Sequence, residues 1–138
     1  MTGCTIYSEK TAVEILGKEK IYDGKKKSVV TFRFFTSDST VSDLNYELSP
    51  MEAYELSKKI NEIAQTGGTL AVMTISENNI VKADEVLMIK RREKSSRDYL
   101  MSMRLGESKI KVPMNKAEFL YVGELIRRLI CSQAYSNQ

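Results

Sequence analysis

The chain has no histidine and no tryptophan, and only two cysteines and two prolines among its 138 residues. Without histidine, neither a Ser–His nor a Cys–His dyad can form. Cys4 and Cys131 stand near opposite ends of the sequence, and with no histidine they cannot supply the four ligands of a structural zinc site. A disulfide between them is possible on paper, but two free thiols are the expectation for a reducing compartment. Long apolar stretches are also missing. Val86-Leu87-Met88-Ile89 is a typical run, far too short to cross a bilayer. The opening MTGCTIYSEK has no basic segment followed by an apolar one, so it does not read as a signal peptide. The expected compartment is the cytoplasm, with nucleoid association or a host cytoplasm as variants. Asp84-Glu85 has no obvious chemical partner. Gly67-Gly68 lacks the rest of a phosphate-loop pattern and follows a helix instead of preceding one. No catalytic residue, metal or cofactor is therefore expected.

What remains is ordinary in bulk and uneven in detail. A hydrophobic fraction of 42% with 28% charged residues fits one folded domain spanning residues 1–138. The formal net charge is +3. Residues 1–67 hold nine Lys/Arg against ten Asp/Glu, whereas residues 68–138 hold twelve against eight. The basic excess belongs to the second half.

The two halves share a pattern. LSPMEAYELSKKI at residues 48–60 matches MNKAEFLYVGELI at residues 114–126, an offset of 66. Ser49 and Asn115 are good N-caps, and Glu52 and Glu118 follow three residues later, the spacing of a capping box. Pro50 falls at the first helical position, where its missing N–H costs nothing. Ala53, Leu56, Ile60 and Ile63 then continue at helical spacing, as do Phe119, Val122, Leu125, Ile126, Leu129 and Ile130. The first helix should stop at Thr66-Gly67-Gly68. Before each helix, Leu44/Tyr46/Leu48 and Ile110/Val112/Met114 alternate with polar residues, the period of a strand with one face buried. Val30/Phe32/Phe34 matches Tyr99/Met101/Met103, and Val13/Ile15 is matched to Val86/Met88. Opening strands are expected near residues 5–7 and 69–75, with a turn at Asn78-Asn79. Hairpin connections are expected at Asp23-Gly24-Lys25-Lys26-Lys27 and Lys94-Ser95-Ser96. The termini look polar and loose. The predicted fold class is α+β, a duplicated β-β-β-β-α unit (residues about 1–67 and 68–138) of antiparallel curved sheets each backed by a helix.

A helix covers one face of such a sheet and leaves the other for solvent or a ligand. The residues expected on that open face mix cations with a few apolar groups, including Phe35, Leu87 and Ile89. Cations contact phosphates, and flat side chains stack bases. The candidate nucleic-acid contacts are Lys18, Lys20, Arg33, Phe35, Lys90, Arg91, Arg92, Arg104, Lys109 and Lys111. The bland readings stand beside them. The basic run from Lys90 can be a solvated hairpin guarding an edge, the turn lysines can be merely hydrated, and Phe35 can fill a subunit interface. The same open face would equally suit a protein-interaction or oligomeric assembly module.

Lys109-Ile110-Lys111-Val112-Pro113-Met114-Asn115-Lys116-Ala117-Glu118-Phe119 resembles the strand-to-helix junction of Pur-alpha repeats. The twofold β-β-β-β-α order is similar to the Whirly proteins, the guide-RNA-binding mitochondrial proteins and the positive-cofactor type of transcriptional coactivator. That resemblance implies a non-enzymatic protein. Its partner would be single-stranded DNA or RNA, bound on the sheet surface with low sequence specificity, in replication, recombination or transcription. It also implies a homodimer or homotetramer and no membrane association.

Overall fold

Alternating apolar residues bounded by turn residues make strands, and the capped helical stripes make helices. The chain runs β1 (Gly3–Ser8), β2 (Thr11–Tyr22), β3 (Lys25–Thr36), β4 (Leu44–Leu48), α1 (Pro50–Thr66), β5 (Thr69–Ile75), β6 (Val81–Arg91), β7 (Tyr99–Leu105), β8 (Ser108–Met114) and α2 (Lys116–Ser136). This computed structural model describes residues 3–75, 81–91 and 98–136. The expected turns at Asn78-Asn79 and Lys94-Ser95-Ser96 lie outside the described residues, as does Arg92. Two antiparallel four-stranded meanders result, in the orders β1-β2-β3-β4 and β5-β6-β7-β8, each followed by a helix. The strand edges of β1 and the length of α2 exceed the loose termini expected from polarity alone.

Turn chemistry corrects one expectation. The β2–β3 connection is only Asp23-Gly24, with φ of 52° and 77°. Two positive φ values match the right-handed twist of the flanking strands, so the turn closes on two residues. Lys25, Lys26 and Lys27 therefore pair within β3, opposite Tyr22, Ile21 and Lys20, instead of forming the loop. Pairing of β1 with β2 ends at Leu16, and pairing of β4 with β3 ends at Val30. Beyond these points the β2–β3 hairpin continues as a two-stranded arm.

A second correction concerns β6. The match to Val13 and Ile15 puts Val86 and Met88 on the core side, with Leu87, Ile89 and Arg91 outward; the structure reverses this. Residues directly opposite in an antiparallel pair share a face. Leu87 stands opposite Met103 and Ile89 opposite Met101, so these two join the core, 0% and 1% exposed. Val86 and Met88 take the open face and are half-buried. The true counterparts of Val13 and Ile15 are thus Leu87 and Ile89, since Val13 and Ile15 stand opposite Phe34 and Phe32. A shift of one residue turns every side chain to the other face.

Both helix starts carry the reciprocal cap. Ser49 Oγ accepts from Glu52 N at 3.2 Å while Ser49 N donates to Glu52 Oε1 at 3.1 Å. Asn115 Oδ1 accepts from Glu118 N at 2.8 Å while Asn115 N donates to Glu118 Oε1 at 3.0 Å. The first helix ends as its sequence predicts, with Gly67 at φ 79° donating its N–H to Ile63 O at 2.8 Å. The helices meet at two small residues. A Cβ on Gly123 would lie 3.0 Å from Ile60 Cγ2 and 3.6 Å from Ser57 O. Ser57 and Gly123 are themselves 66 positions apart, the repeat offset, so the crossing point respects the duplication.

The helices are shared between the sheets. Besides touching each other, α1 lies against β3, β4 and β6, and α2 against β1, β2 and β3. Tyr99 ties the halves together. Its ring stacks on Phe119 of α2, centroids 4.6 Å apart, and its hydroxyl donates to Ala64 O in the last turn of α1 at 3.3 Å. Inner faces and helix stripes form one continuous core running from Ile6 to Leu129. Burying most of its large apolar side chains supplies the main stabilisation, at about 1.5–3 kcal/mol for each.

Candidate functional site

With the helices on one side, the registers fix what each open face carries. Across β6, β7 and β8 the outward rows are Lys90–Leu100–Pro113, Met88–Ser102–Lys111 and Val86–Arg104–Lys109. Across β2, β3 and β4 they include Leu16–Thr31–Glu47 and Glu14–Arg33–Asn45, with Ala12–Phe35 beyond. The two faces are built alike and charged differently.

On the first sheet Arg33 and Lys20 are paired from within. Arg33 NH1 lies 3.1 Å from Asp43 Oδ2, and its Nε lies 3.3 Å from Glu14 Oε1. The Nε contact is a charge contact without hydrogen-bond geometry. The guanidinium also covers the Phe35 ring, 4.4 Å from its centroid. Lys20 pairs with Glu47. Lys18 stands with Lys20 at the base of the arm, facing a shallow hollow of about 300 Å³ that Glu14 and Glu47 also line. A guanidinium held by two carboxylates has little charge left for a phosphate.

The second sheet is the reverse. Lys90, Arg104, Lys109 and Lys111 share its open face, and none makes an ion pair among the described residues. Arg104 is oriented by donating Nε–H to Gly106 O at 3.0 Å, in the β7–β8 turn. Desolvation, then the charges of Lys111, Lys90 and Arg104, hold the Lys109 ammonium below its ordinary pKa. Like charges clustered this way repel each other and attract an anion. On the helices, by contrast, Lys58, Lys59 and Arg128 each pair with a carboxylate about one turn away.

The ten sequence-predicted contacts thus fall into separate places. Lys90, Arg104, Lys109 and Lys111 come together. Arg33 and Phe35 form a packed pair on the other sheet, and Lys18 and Lys20 stand at the arm. Arg91 is on the helix side of β6, opposite Tyr99, with its guanidinium carbon 6.0 Å from that ring, because it shares the phase of Leu87 and Ile89. Ser102 faces outward but is 1% exposed, since its short side chain sits between the longer Met88 and Lys111. One exposed side chain escaped the sequence reading. Tyr7, opposite Ala12, projects from the open face of the first sheet. Its signal was the period-two alternation with buried Ile6.

Cys4 and Cys131 are free thiols, and burial pushes the Cys4 thiol up. Among the described residues no cluster of three or more His, Cys, Asp or Glu could hold a metal ion, and no helix is long and apolar enough to cross a membrane. Neither a scan against protein-family models nor a search of curated proteins finds a match to this chain.

Proposed function

We propose that this protein binds single-stranded nucleic acid through the open face of its second sheet, with little sequence preference and without catalysis. One observation carries the reading. Four cations stand on one sheet face with no carboxylate partner among the described residues, while on the equivalent face of the first sheet Arg33 and Lys20 are held by carboxylates. Positive charge spread over three strands suits a phosphate backbone, because each neutralised phosphate releases condensed counterions. The half-buried Met88 and Val86 beside the cations offer apolar surface to the bases. Phosphate contact is blind to sequence, so weak sequence preference follows.

The test is fluorescence anisotropy of a labelled mixed-sequence oligonucleotide at about 50 and about 200 mM salt, a range over which phosphate contacts weaken measurably. Four neutralised phosphates give a slope of log K against log salt of about −3, at roughly 0.7 per contact for a single strand. No detectable binding at the lower salt overturns the proposal.

A further inference from the structure

Two open sheets have four edges, and three of them are guarded. β8 carries Lys109, Lys111 and Pro113, and β4 carries Asn45 and Glu47. Charges and proline on an edge deter a further strand from pairing. β1 lies against α2 and β8. β5 has neither defence. Its sequence, TLAVMTI, holds no charge and no proline, and among the described residues it pairs with β6 alone. Arg91 N donates to Gly68 O, so by the alternation of an antiparallel ladder the bonds to β6 fall on Gly68, Leu70 and Val72. The N–H and C=O groups of Thr69 and Ala71, both exposed residues, point away from β6 at the free edge.

An apolar groove adjoins this edge. A hollow of about 400 Å³ between α1 and β5 is lined by Met51, Leu56, Leu70 and Val72. Met51 is 78% exposed, the most of any large apolar side chain among the described residues. The other copy of the repeat packs the equivalent residues. By register Leu70 and Val72 correspond to Cys4 and Ile6, and by the 66-residue offset Leu56 and Lys59 correspond to Val122 and Leu125. Ile6, Val122 and Leu125 are buried, and α2 lies against β1. Lys59 stands where that copy has a leucine, and a side chain drawn to water does not fill the gap that a leucine closes.

We propose that β5 pairs antiparallel with β5 of a second copy of this chain about a twofold axis, burying Met51 and the groove in the contact. Three features select the chain's own copy. An uncharged strand meets its reversed self with no like charges opposed. The groove's rim carries Glu52 and Glu55 at one end and Lys59 at the other, an order that sets opposite charges against each other when it is reversed. Glu55 and Lys59 hold only exposed partners about one turn away, which compete weakly. Each copy also offers both an exposed methionine and an unfilled groove, so one twofold operation satisfies both. β5 is the edge opposite β8 in its sheet, so the contact leaves Lys109 and Lys111 uncovered and does not depend on nucleic-acid binding.

Sedimentation equilibrium of the full chain over a wide concentration range tests this, and should fit a monomer–dimer equilibrium with a dimer of twice 15.7 kDa. Ala71→Pro removes an outward N–H and no bond to β6, the kind of place where an edge strand tolerates proline. It should keep its circular dichroism and sediment as a monomer where the parent is a dimer. Met51→Glu, at an exposed site, should raise the dimer dissociation constant about tenfold or more. Hydrogen exchange reads the pairing directly: the Ala71 amide should be protected in the dimer and exchange freely on dilution to monomer. A parent that stays monomeric throughout, or a dimer whose Ala71 amide exchanges freely, overturns the proposal. Dimerisation unchanged in Met51→Glu overturns it too, even where Ala71→Pro fails to fold.

Discussion

Lys109 is where the charges of the second sheet converge, and Arg33 is its opposite on the first. Lys109 has three cations around it, and Arg33 has two carboxylates. Replacing Lys109 or Lys111 by Gln should lower oligonucleotide affinity and make the salt slope shallower by about 0.7 for each. Arg33→Gln should change neither, because its charge is already balanced. Anisotropy titrations of the three variants check this. Proton linkage gives a second outcome. A bound polyanion favours the charged ammonium and raises the Lys109 pKa, which in the free protein is held below 10.5. Affinity should therefore be full at neutral pH and decline as pH rises through the depressed Lys109 value, with proton uptake on binding in that window. Calorimetry in two buffers of different ionisation enthalpy measures the uptake.

At the level of elements, the two caps and the helix crossing are the places where local chemistry decides. Ser49→Ala and Asn115→Ala should each cost about 1 kcal/mol, and nearly the same amount as each other, since both boxes make the same pair of bonds. Urea unfolding measures both. Gly123→Leu should cost about 1–3 kcal/mol or more, because even a Cβ there already presses on Ile60. Helix starts, the Gly67 stop and the strands of the first unit were legible in the sequence because caps and two-residue alternation are local signals. The phase of β6 was not. Val86-Leu87-Met88-Ile89 is apolar at every position, so alternation says nothing about which side faces inward. Pairing with Met101 and Met103 settles it, and pairing is a long-range fact. Arg91 changed sides for the same reason. Three lysines after Asp23-Gly24 look like loop residues in the sequence, whereas turn geometry needs only the two.

On the scale of the whole molecule, the duplication has kept its core and diverged on its open faces. The row Glu14–Arg33–Asn45 corresponds to Met88–Ser102–Lys111, since Ile15–Phe32–Tyr46 and Ile89–Met101–Val112 are the adjacent core rows. An internal ion pair in one copy is replaced in the other by an apolar residue, a small one and a lysine that makes no ion pair among the described residues. The uneven charge of the two halves hinted at this in the sequence. Which cations already had partners could not be read there, because Glu14, Asp43 and Glu47 reach Arg33 and Lys20 only across strands. At 15.7 kDa the chain suits amide chemical-shift mapping during titration with a single-stranded oligonucleotide. The largest shifts should fall on Lys90, Ser102, Arg104, Lys109 and Lys111, while Glu14 and Glu47 stay still. Shifts centred on the helices or on the Glu14–Arg33–Asn45 row, with the second sheet silent, would contradict the account.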